Sequence, residues 1–313
     1  MTGGVAYAGE AGAFAEDAAI AVFGDAPRLP VGSFREVFEA VQAGRASAGV
    51  VPIENLVNGS IRETYDLLLE HDLVIDAEVV VPVDLCLAGL PDRPLESIER
   101  VYSHIQALGQ AERFLRARPW ALLTTYNTAG AGRFIVDRAD DAAAAVLSRR
   151  AATALGLHVL ANSIQDVPDN RTRFLVLAKA VPAYGAASEG RPGAPGSPGA
   201  PAAADPPAAA GPLAAPGTPA GGPASGSFRT TVAFGVRNEP GTLLAALQVF
   251  ANRSINLSKL ESRPSRAAAW EYVFWADLDA HAADPSCAAA LDELRAVATM
   301  VRTFGSYPRA VEP

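Results

Sequence analysis

The sequence predicts a mixed α/β protein with two folded parts, and three observations support this fold class. Residues 1–182 alternate short apolar runs with helical patterns, which is typical of an α/β domain with a mainly parallel sheet. Residues 228–313 follow the order βαββαβ of a ferredoxin-like α+β domain. Residues 191–226 are almost entirely Gly, Ala, Pro and Ser, and such a segment cannot bury enough apolar area to offset its ordering entropy. We therefore predict a disordered linker at 183–227.

Apolar periodicity places the elements of the first part. Phe34, Val37, Phe38 and Val41 recur at helical spacing, whereas the unbroken apolar run from Phe174 indicates a buried strand. The chain is expected to leave one lobe (about 1–76 with 166–182) for a second lobe (77–165) and then return. The predicted elements are a strand at 5–7, helices at 15–22 and 34–43, a strand at 48–51, a helix at 61–69, strands within 73–87, helices at 106–116 and 140–154, and strands at 159–160 and 174–177.

The second part shows its elements just as clearly. Pro240 lies in the first turn of a predicted helix at 240–251, where proline is tolerated, and Asp284 with Pro285 opens a second helix that runs to 297. Gly241, at the start of the first helix, leaves backbone N–H groups free to bind a carboxylate. Strands are predicted at 229–237, 255–262, 270–277 and 301–304.

Composition excludes several classes of protein. The net charge of −8 and the isoelectric point near 5.1 argue against a nucleic-acid-binding surface. No stretch of about eighteen apolar residues lacks charges, so no membrane span is expected. The first residues are acidic at Glu10 and lack a basic region, so we expect no secretory signal and a cytoplasmic location.

Neither a metal nor a cofactor is expected. Cys86 and Cys287 lie far apart in different predicted domains, which favours two reduced thiols over a disulfide. The histidines show no metal-ligand spacing. Lys179 and Lys259 are the only lysines, and neither lies in a motif that suits a Schiff base or a phosphate-binding loop.

The most informative run is residues 169–174, in which Thr172 lies between two arginines and directly before a buried strand. A hydroxyl between guanidinium groups suits a substrate with several carboxylates and a group that must leave as water. The alternative is a surface turn in which Asp169 and Asn170 cap the chain and both arginines are solvated. Arg173 could also be a structural ion-pair partner of an acidic residue.

Other polar residues are candidates for substrate binding. Asn55 and Ser60 follow a short strand, but Ser60 with Glu63 also fits a helix capping box. Ser103 and Gln106 could equally cap the next helix instead of contacting a substrate. A hydrolase based on the Ser103–His104 pair is rejected, because adjacent strand residues point to opposite faces and no G-x-S-x-G motif is present. Thr128 could cap a further helix, which Gly130 and Gly132 would each weaken by about 1 kcal/mol relative to alanine.

Several sequence blocks follow one another along the chain. They are G-E-A-G-A-F at 9–14, V-P-I-E-N at 51–55 with N-G-S at 58–60, Y-S-H-I-Q-A-L-G-Q at 102–110, N-R-T-R-F at 170–174, N-E-P-G-T-L at 238–243 and E-S-R-P at 261–264. These blocks, in this order, resemble the prephenate dehydratase family with its C-terminal ACT domain. Leu56, Ile105 and the segment 127–132 depart from the family pattern, where S, P and S-T-A-E-A-A are usual.

The resemblance implies a two-lobed catalytic domain like a periplasmic binding protein, with Thr172 facing the cleft between the lobes. It implies that prephenate loses CO2 and water to give phenylpyruvate, with Thr172 as the donor to the leaving hydroxyl and Arg173 as the partner of a carboxylate. Arogenate dehydration, decarboxylation of prephenate without aromatisation, or a catalytically inactive amino-acid sensor are the alternatives. The remaining site residues that the resemblance implies are Asn170, Glu54, Asn55, Ser60, Ser103, His104, Gln106, Thr128 and Phe174.

For the C-terminal domain, the resemblance implies phenylalanine bound between two copies, and hence a homodimer or homotetramer. Phenylalanine could change the activity of the enzyme only if its affinity differs between two states of the protein. The predicted effector residues are Asn238, Gly241, Thr242, Leu243, Glu261, Ser262 and Arg263.

Overall fold

The computed structural model describes residues 3–180, 228–264 and 272–310. The predicted linker at 183–227 and the first residues of the strand predicted at 270–277 lie outside the described residues.

Lobe 1 is built on a mixed sheet with the strand order β2-β1-β3-β11-β5, and β4 pairs with the end of β3. β1 is parallel to β2 and β3, whereas β11 is antiparallel to both β3 and β5. The elements of lobe 1 are β1 (Gly4–Ala8), α1 (Phe14–Phe23), β2 (Arg28–Val31), α2 (Phe34–Gln42), β3 (Ala46–Asn55), β4 (Gly59–Ser60), α3 (Arg62–Glu70), β5 (Leu73–Pro82) and β11 (Arg171–Lys179).

Lobe 2 has a second mixed sheet, with the order β10-β6-β9-β7-β8. The chain enters it after β5 and returns through β11, and the two crossings are joined where the Val83 amide donates to the Asn170 carbonyl (2.8 Å). Its elements are β6 (Leu85–Gly89), β7 (Arg100–Ser103), α4 (Ile105–Gln110), α5 (Glu112–Arg116), β8 (Ala121–Thr124), α6 (Thr128–Arg138), β9 (Ala143–Ser148), α7 (Arg149–Ala154) and β10 (His158–Ala161).

The C-terminal domain has the predicted βαββαβ order and an antiparallel sheet ordered β13-β14-β12-β15. The helix predicted at 285–297 has those bounds, with Asp284 as its N-cap and Pro285 in its first turn. Its elements are β12 (Phe228–Gly235), α8 (Thr242–Ala251), β13 (Leu257–Pro264), β14 (Tyr272–Leu278), α9 (Pro285–Val297) and β15 (Met300–Pro308).

Both faces of the C-terminal sheet are covered. One face packs on α8 and α9 around Phe250 and Leu294. The other face packs on lobe 1, where Trp275 meets the ring of Tyr65 edge-on at 5.0 Å in one continuous apolar cluster. A Cβ on Gly305 of β15 would lie 2.3 Å from the Ile75 carbonyl oxygen, so glycine permits this close approach. The C-terminal domain is thus docked on lobe 1.

Two secondary-structure predictions were wrong. The helix predicted at 140–154 is strand β9 followed by the short helix α7. Ala143 to Ser148 are all buried, so the central place of β9 in its sheet outweighs the helix propensity of its alanines. The sheets are also mixed, not mainly parallel, because β11 returns antiparallel to its neighbours. Cys86 and Cys287 are both buried, and no disulfide joins them.

Candidate active site

A cavity of about 710 Å³ lies between the two lobes, lined by residues from both. The N-termini of α3 and α6 reach it through Arg62 and Thr128, and helix N-termini favour anionic ligands. The polar lining residues include Asn55, Ser60, Arg62 and Thr172 from lobe 1 and His104, Gln106 and Thr128 from lobe 2. We call this cavity the cleft.

Thr172 lines the cleft at the point where the returning chain enters β11. It is opposite Asn55 in the β11–β3 register, and the Asn55 side-chain amide donates to the Thr172 hydroxyl oxygen across 3.0 Å. Because that oxygen accepts a hydrogen bond, the hydroxyl proton remains available to a group in the cleft. The side chain is only 8% exposed, which strengthens such a bond relative to one made in water.

Asn55 organises the surroundings of Thr172. Its carbonyl oxygen accepts from the amides of Val57 (3.1 Å) and Asn58 (3.0 Å), which fixes the loop after β3. Its amide also donates to Asn170, which is 1% exposed and outside the cleft lining. Asn170 therefore reaches the cleft through Asn55, not directly.

The prediction that Arg173 binds a substrate carboxylate needs correction. Alternation along β11 places Thr172 and Phe174 in the cleft lining and turns Arg173 to the other face. There its guanidinium bonds Glu54 (3.1 Å), Glu78 (3.1 Å) and Asp277 of the C-terminal domain (3.0 Å). Burial lowers the pKa of Arg173, but the neighbouring carboxylates raise it more, so the group stays charged. Arg173 is the structural ion-pair residue that the sequence analysis kept as an alternative.

Glu54 also lies outside the cleft lining, contrary to its predicted contact with substrate. Lys259 of β13 is 2.8 Å from one of its carboxylate oxygens, and Arg173 binds the other. Burial alone would raise the pKa of Glu54, but the hydrogen bond and charge of Lys259 and the charge of Arg173 lower it overall. Glu54 is therefore ionised and committed to the interface between the domains.

Arg62 is the cleft residue that the sequence analysis missed. It is the first residue of α3, and among the described residues that line the cleft it is the only lysine or arginine. No motif marked it. The available signal was its position two residues after Ser60, at the start of a helix that the N-G-S block at 58–60 already placed near the site.

The alternative roles of Ser60 and Ser103 as helix caps are not observed. Ile61, not Ser60, is the N-cap of α3, and the Ser60 hydroxyl donates instead to Glu261 of β13. Ser103 is fully buried and donates to the Val146 carbonyl (2.6 Å), so it neither caps α4 nor reaches the cleft.

His104 is the N-cap of α4, and its Nδ1 accepts from the Gln106 amide at 3.4 Å. Burial lowers the pKa of His104, which favours the neutral ring that this contact requires. Gln106 lines the cleft. Thr128 lines it too, as the first residue of α6, but Asn127 is the cap of that helix.

The two glycines of α6 allow close approach. A Cβ on Gly130 would lie 3.1 Å from a carboxylate oxygen of Glu10, a lobe 1 residue that also contacts Tyr126 and Arg133 of lobe 2. A Cβ on Gly132 would lie 2.7 Å from Leu155 and 2.9 Å from Leu147. The glycines thus make room for Glu10 between the lobes and for packing against β9 and α7.

The predicted effector residues fall into two groups. The first group lies near the start of α8, where Gly241 is the N-cap with a φ of 88°. The Thr242 hydroxyl donates to the Arg237 carbonyl (2.6 Å), and Leu243 packs on the domain core. Asn238 is exposed.

The second group lies on β13, where Glu261 and Arg263 face lobe 1 and Ser262 is exposed on the other side. Arg263 is 2.8 Å from Asp66 of α3. The E-S-R-P segment therefore forms part of the contact between the domains.

Within the described ranges, no group of three or more His, Cys, Asp or Glu residues could hold a metal ion. No helix in the same ranges is long and apolar enough to cross a membrane.

Comparison with known proteins supports one family. Residues 5–182 match the family model for prephenate dehydratase, and residues 230–296 match that for the ACT domain. The bifunctional chorismate mutase/prephenate dehydratase of Aquifex aeolicus is 36% identical over 98% of this chain and 74% of its own length. Arogenate dehydratase/prephenate dehydratase 2 of Arabidopsis thaliana is 36% identical over 97% of this chain and 72% of its own.

Among solved structures, a prephenate dehydratase from Arthrobacter aurescens in complex with L-Phe is 30% identical and superposes with a TM-score of 0.77. That match covers 97% of this chain and 90% of the other. The predicted fold class, two lobes with a C-terminal ACT domain, is confirmed. The chain is a lyase that belongs to the prephenate dehydratase family.

Proposed function

We propose that this protein converts prephenate to phenylpyruvate, CO2 and water in the cytoplasm, within the synthesis of phenylalanine. The observation that carries the proposal is the Thr172 hydroxyl, which faces the cleft and accepts a hydrogen bond from Asn55. A hydroxyl whose proton is available to a cleft between two helix N-termini suits a dianion that must lose hydroxide.

In the proposed reaction, the bond between the ring and its carboxylate breaks, and its electron pair moves into the ring. The carbon–oxygen bond to the ring hydroxyl breaks at the opposite position, and the leaving hydroxide takes up a proton from solvent to become water. Thr172 donates its hydrogen bond to that oxygen as negative charge develops there. Aromatisation of the ring supplies the driving force, so the enzyme mainly has to orient the substrate and assist the departure of hydroxide. A positioned donor typically contributes about two to four decades in rate.

Arg62 is proposed to hold a carboxylate of the substrate. Arg173 cannot do so while three carboxylates bind it on the other face of β11. The Arg62 guanidinium can bind a carboxylate through two parallel hydrogen bonds, and the N-terminus of α3 adds a favourable dipole at the same place.

We expect Arg62→Gln to raise the KM for prephenate about tenfold, the lower end for a lost hydrogen bond to a charged group, with a smaller change in kcat. Steady-state kinetics at two salt concentrations would check this, because the KM of the wild type should rise more steeply with salt than that of the variant. Arg45→Gln is the matched control, since it removes the same charge from an exposed residue outside the cleft lining. Equal KM values for the two variants would contradict the assignment of Arg62.

Arogenate is the second candidate substrate, and Glu63 is the observation that favours it. Glu63 follows Arg62 in the cleft lining, and its carboxylate could pair with the ammonium group that arogenate carries in place of the keto group of prephenate. In the deciding experiment, purified protein is incubated with each substrate in turn. Phenylpyruvate formed from prephenate is measured by absorbance, and phenylalanine formed from arogenate is measured by chromatography. A higher kcat/KM for arogenate would overturn the prephenate proposal, and turnover of neither would favour an inactive sensor.

L-Phenylalanine is proposed as the effector, bound at the N-terminus of α8 between the C-terminal domains of a homodimer or homotetramer. The left-handed Gly241 cap and the relative solved with L-Phe support this. Calorimetry should show that phenylalanine affinity changes when a substrate analogue is present, with a coupling of about 1–3 kcal/mol. Equal affinities with and without the analogue would exclude allosteric coupling.

A further inference from the structure

The C-terminal domain contacts a residue of the cleft lining. Ser60 lines the cleft, and its hydroxyl donates to a carboxylate oxygen of Glu261. The ammonium of Lys259 donates to the same hydroxyl oxygen across 3.1 Å. Lys259 and Glu261 are two residues apart on β13, so both side chains reach lobe 1 from the same face of that strand.

Lys259 links this contact to the residues around Thr172. Its ammonium is 2.8 Å from Glu54 and 3.7 Å from Glu261, and its side chain is only 13% exposed. Glu54 pairs with Ser60 in the β3–β4 register and directly precedes Asn55, which donates to Thr172. An unbroken set of contacts therefore runs from β13 to the Thr172 hydroxyl.

These contacts also determine which hydrogen bonds Ser60 can offer. A serine hydroxyl has one proton and two acceptor lone pairs. While Glu261 takes the proton and Lys259 occupies one lone pair, Ser60 can only accept a hydrogen bond from a ligand in the cleft. If β13 moved away, the proton would become available to an anionic substrate, and the orientation of the hydroxyl would no longer be fixed.

We propose that Lys259 and Glu261 are positioning residues for the cleft, acting through Ser60 and Glu54, so that any displacement of β13 changes substrate binding. The proposal rests on the proposed function for the identity of the substrate. It assigns to these β13 side chains a role that is separate from direct contact with an effector.

The test compares Lys259→Met with Arg302→Met. Arg302 of β15 bonds the carbonyls of Leu69 (3.1 Å) and His71 (2.6 Å), so its loss weakens the same domain contact without touching Ser60. Lys259→Met should raise the KM for prephenate about three- to tenfold, within the range for residues coupled by direct contact, and Lys259→Arg should restore most of it. Arg302→Met should leave KM within about twofold of wild type, the small effect expected of a substitution that does not touch the cleft.

A double-mutant cycle separates positioning from general docking. In a Ser60→Ala background, Lys259→Met should cause less than about half of its single-variant effect on KM, because the shared contact is already lost. Equal effects of Lys259→Met in both backgrounds, or equal KM changes for Lys259→Met and Arg302→Met, would overturn the proposal.

A second readout does not depend on the substrate. Amide hydrogen exchange in residues 56–61 should accelerate in Lys259→Met and stay unchanged in Arg302→Met. Unchanged exchange in Lys259→Met would refute the positioning role. Wild-type protein that fails to convert prephenate would refute the proposed function alone, and hydrogen exchange would still decide the role of Lys259.

Discussion

Replacing Thr172 with valine is expected to lower kcat for prephenate by about two or more decades, the usual contribution of a positioned proton donor. Valine keeps the shape of threonine but removes the proton that the hydroxyl can donate into the cleft. Measurement of kcat and KM from the appearance of phenylpyruvate would test this, and KM should change far less than kcat because the substrate's carboxylates are held elsewhere.

Thr172→Ser is the matched control for this variant. Serine retains the hydroxyl and can still accept from Asn55, so turnover should stay within about one decade of wild type. If the valine variant kept turnover within about threefold of wild type, Thr172 would not be the donor, and the function of the cleft would have to rest on another residue.

Arg173→Met is expected to lower the free energy of unfolding by about 3 kcal/mol, the lower end of the range for breaking a buried ion pair. The change leaves the carboxylates of Glu78 and Asp277 buried with one cation fewer, since their side chains are 2% and 6% exposed. Arg229 contacts both of them and offsets part of the loss. Urea denaturation followed by tryptophan fluorescence would measure the difference.

Arg171→Met on the same strand provides the comparison. Arg171 is partly exposed and its carboxylate partner, Asp169, is 4.0 Å away and almost fully solvated, so its loss should cost less than about 1 kcal/mol. Comparison of the two variants also distinguishes an effect on stability from an effect on substrate binding. Unchanged stability together with a large rise in KM for Arg173→Met would restore the role in carboxylate binding that the sequence first suggested.

Most elements could be predicted because they have a local signal, such as the apolar spacing of α2 or Pro285 at the start of α9. The short strands β2 and β8 were not predicted. Strand β9 was predicted as a helix, since nothing local distinguishes a buried strand rich in alanine from a helix. Its identity comes from neighbouring strands that are distant in sequence.

The candidate site was predictable where side chains follow from strand geometry. Thr172 and Phe174 of β11 and Asn55 of β3 line the cleft, and Gln106 joins them from the start of α4. Alternation along β11 also carried the warning that Arg173 and Thr172 cannot share a face. The partners of Ser60 and Glu54 were beyond reach, because Lys259 and Glu261 lie some two hundred residues away and meet them only after the domains dock.

The apolar cluster shared by lobe 1 and the C-terminal sheet makes the C-terminal domain part of the enzyme's own stability. Residues such as Tyr65 and Ile75 are buried with the help of Trp275 and Phe304. A chain truncated after 180 would therefore expose an apolar surface that the intact protein keeps from water, and such surfaces promote aggregation. Point substitutions along the interface would leave this core in place, whereas loss of the whole C-terminal domain would remove five of the twenty buried residues described in it.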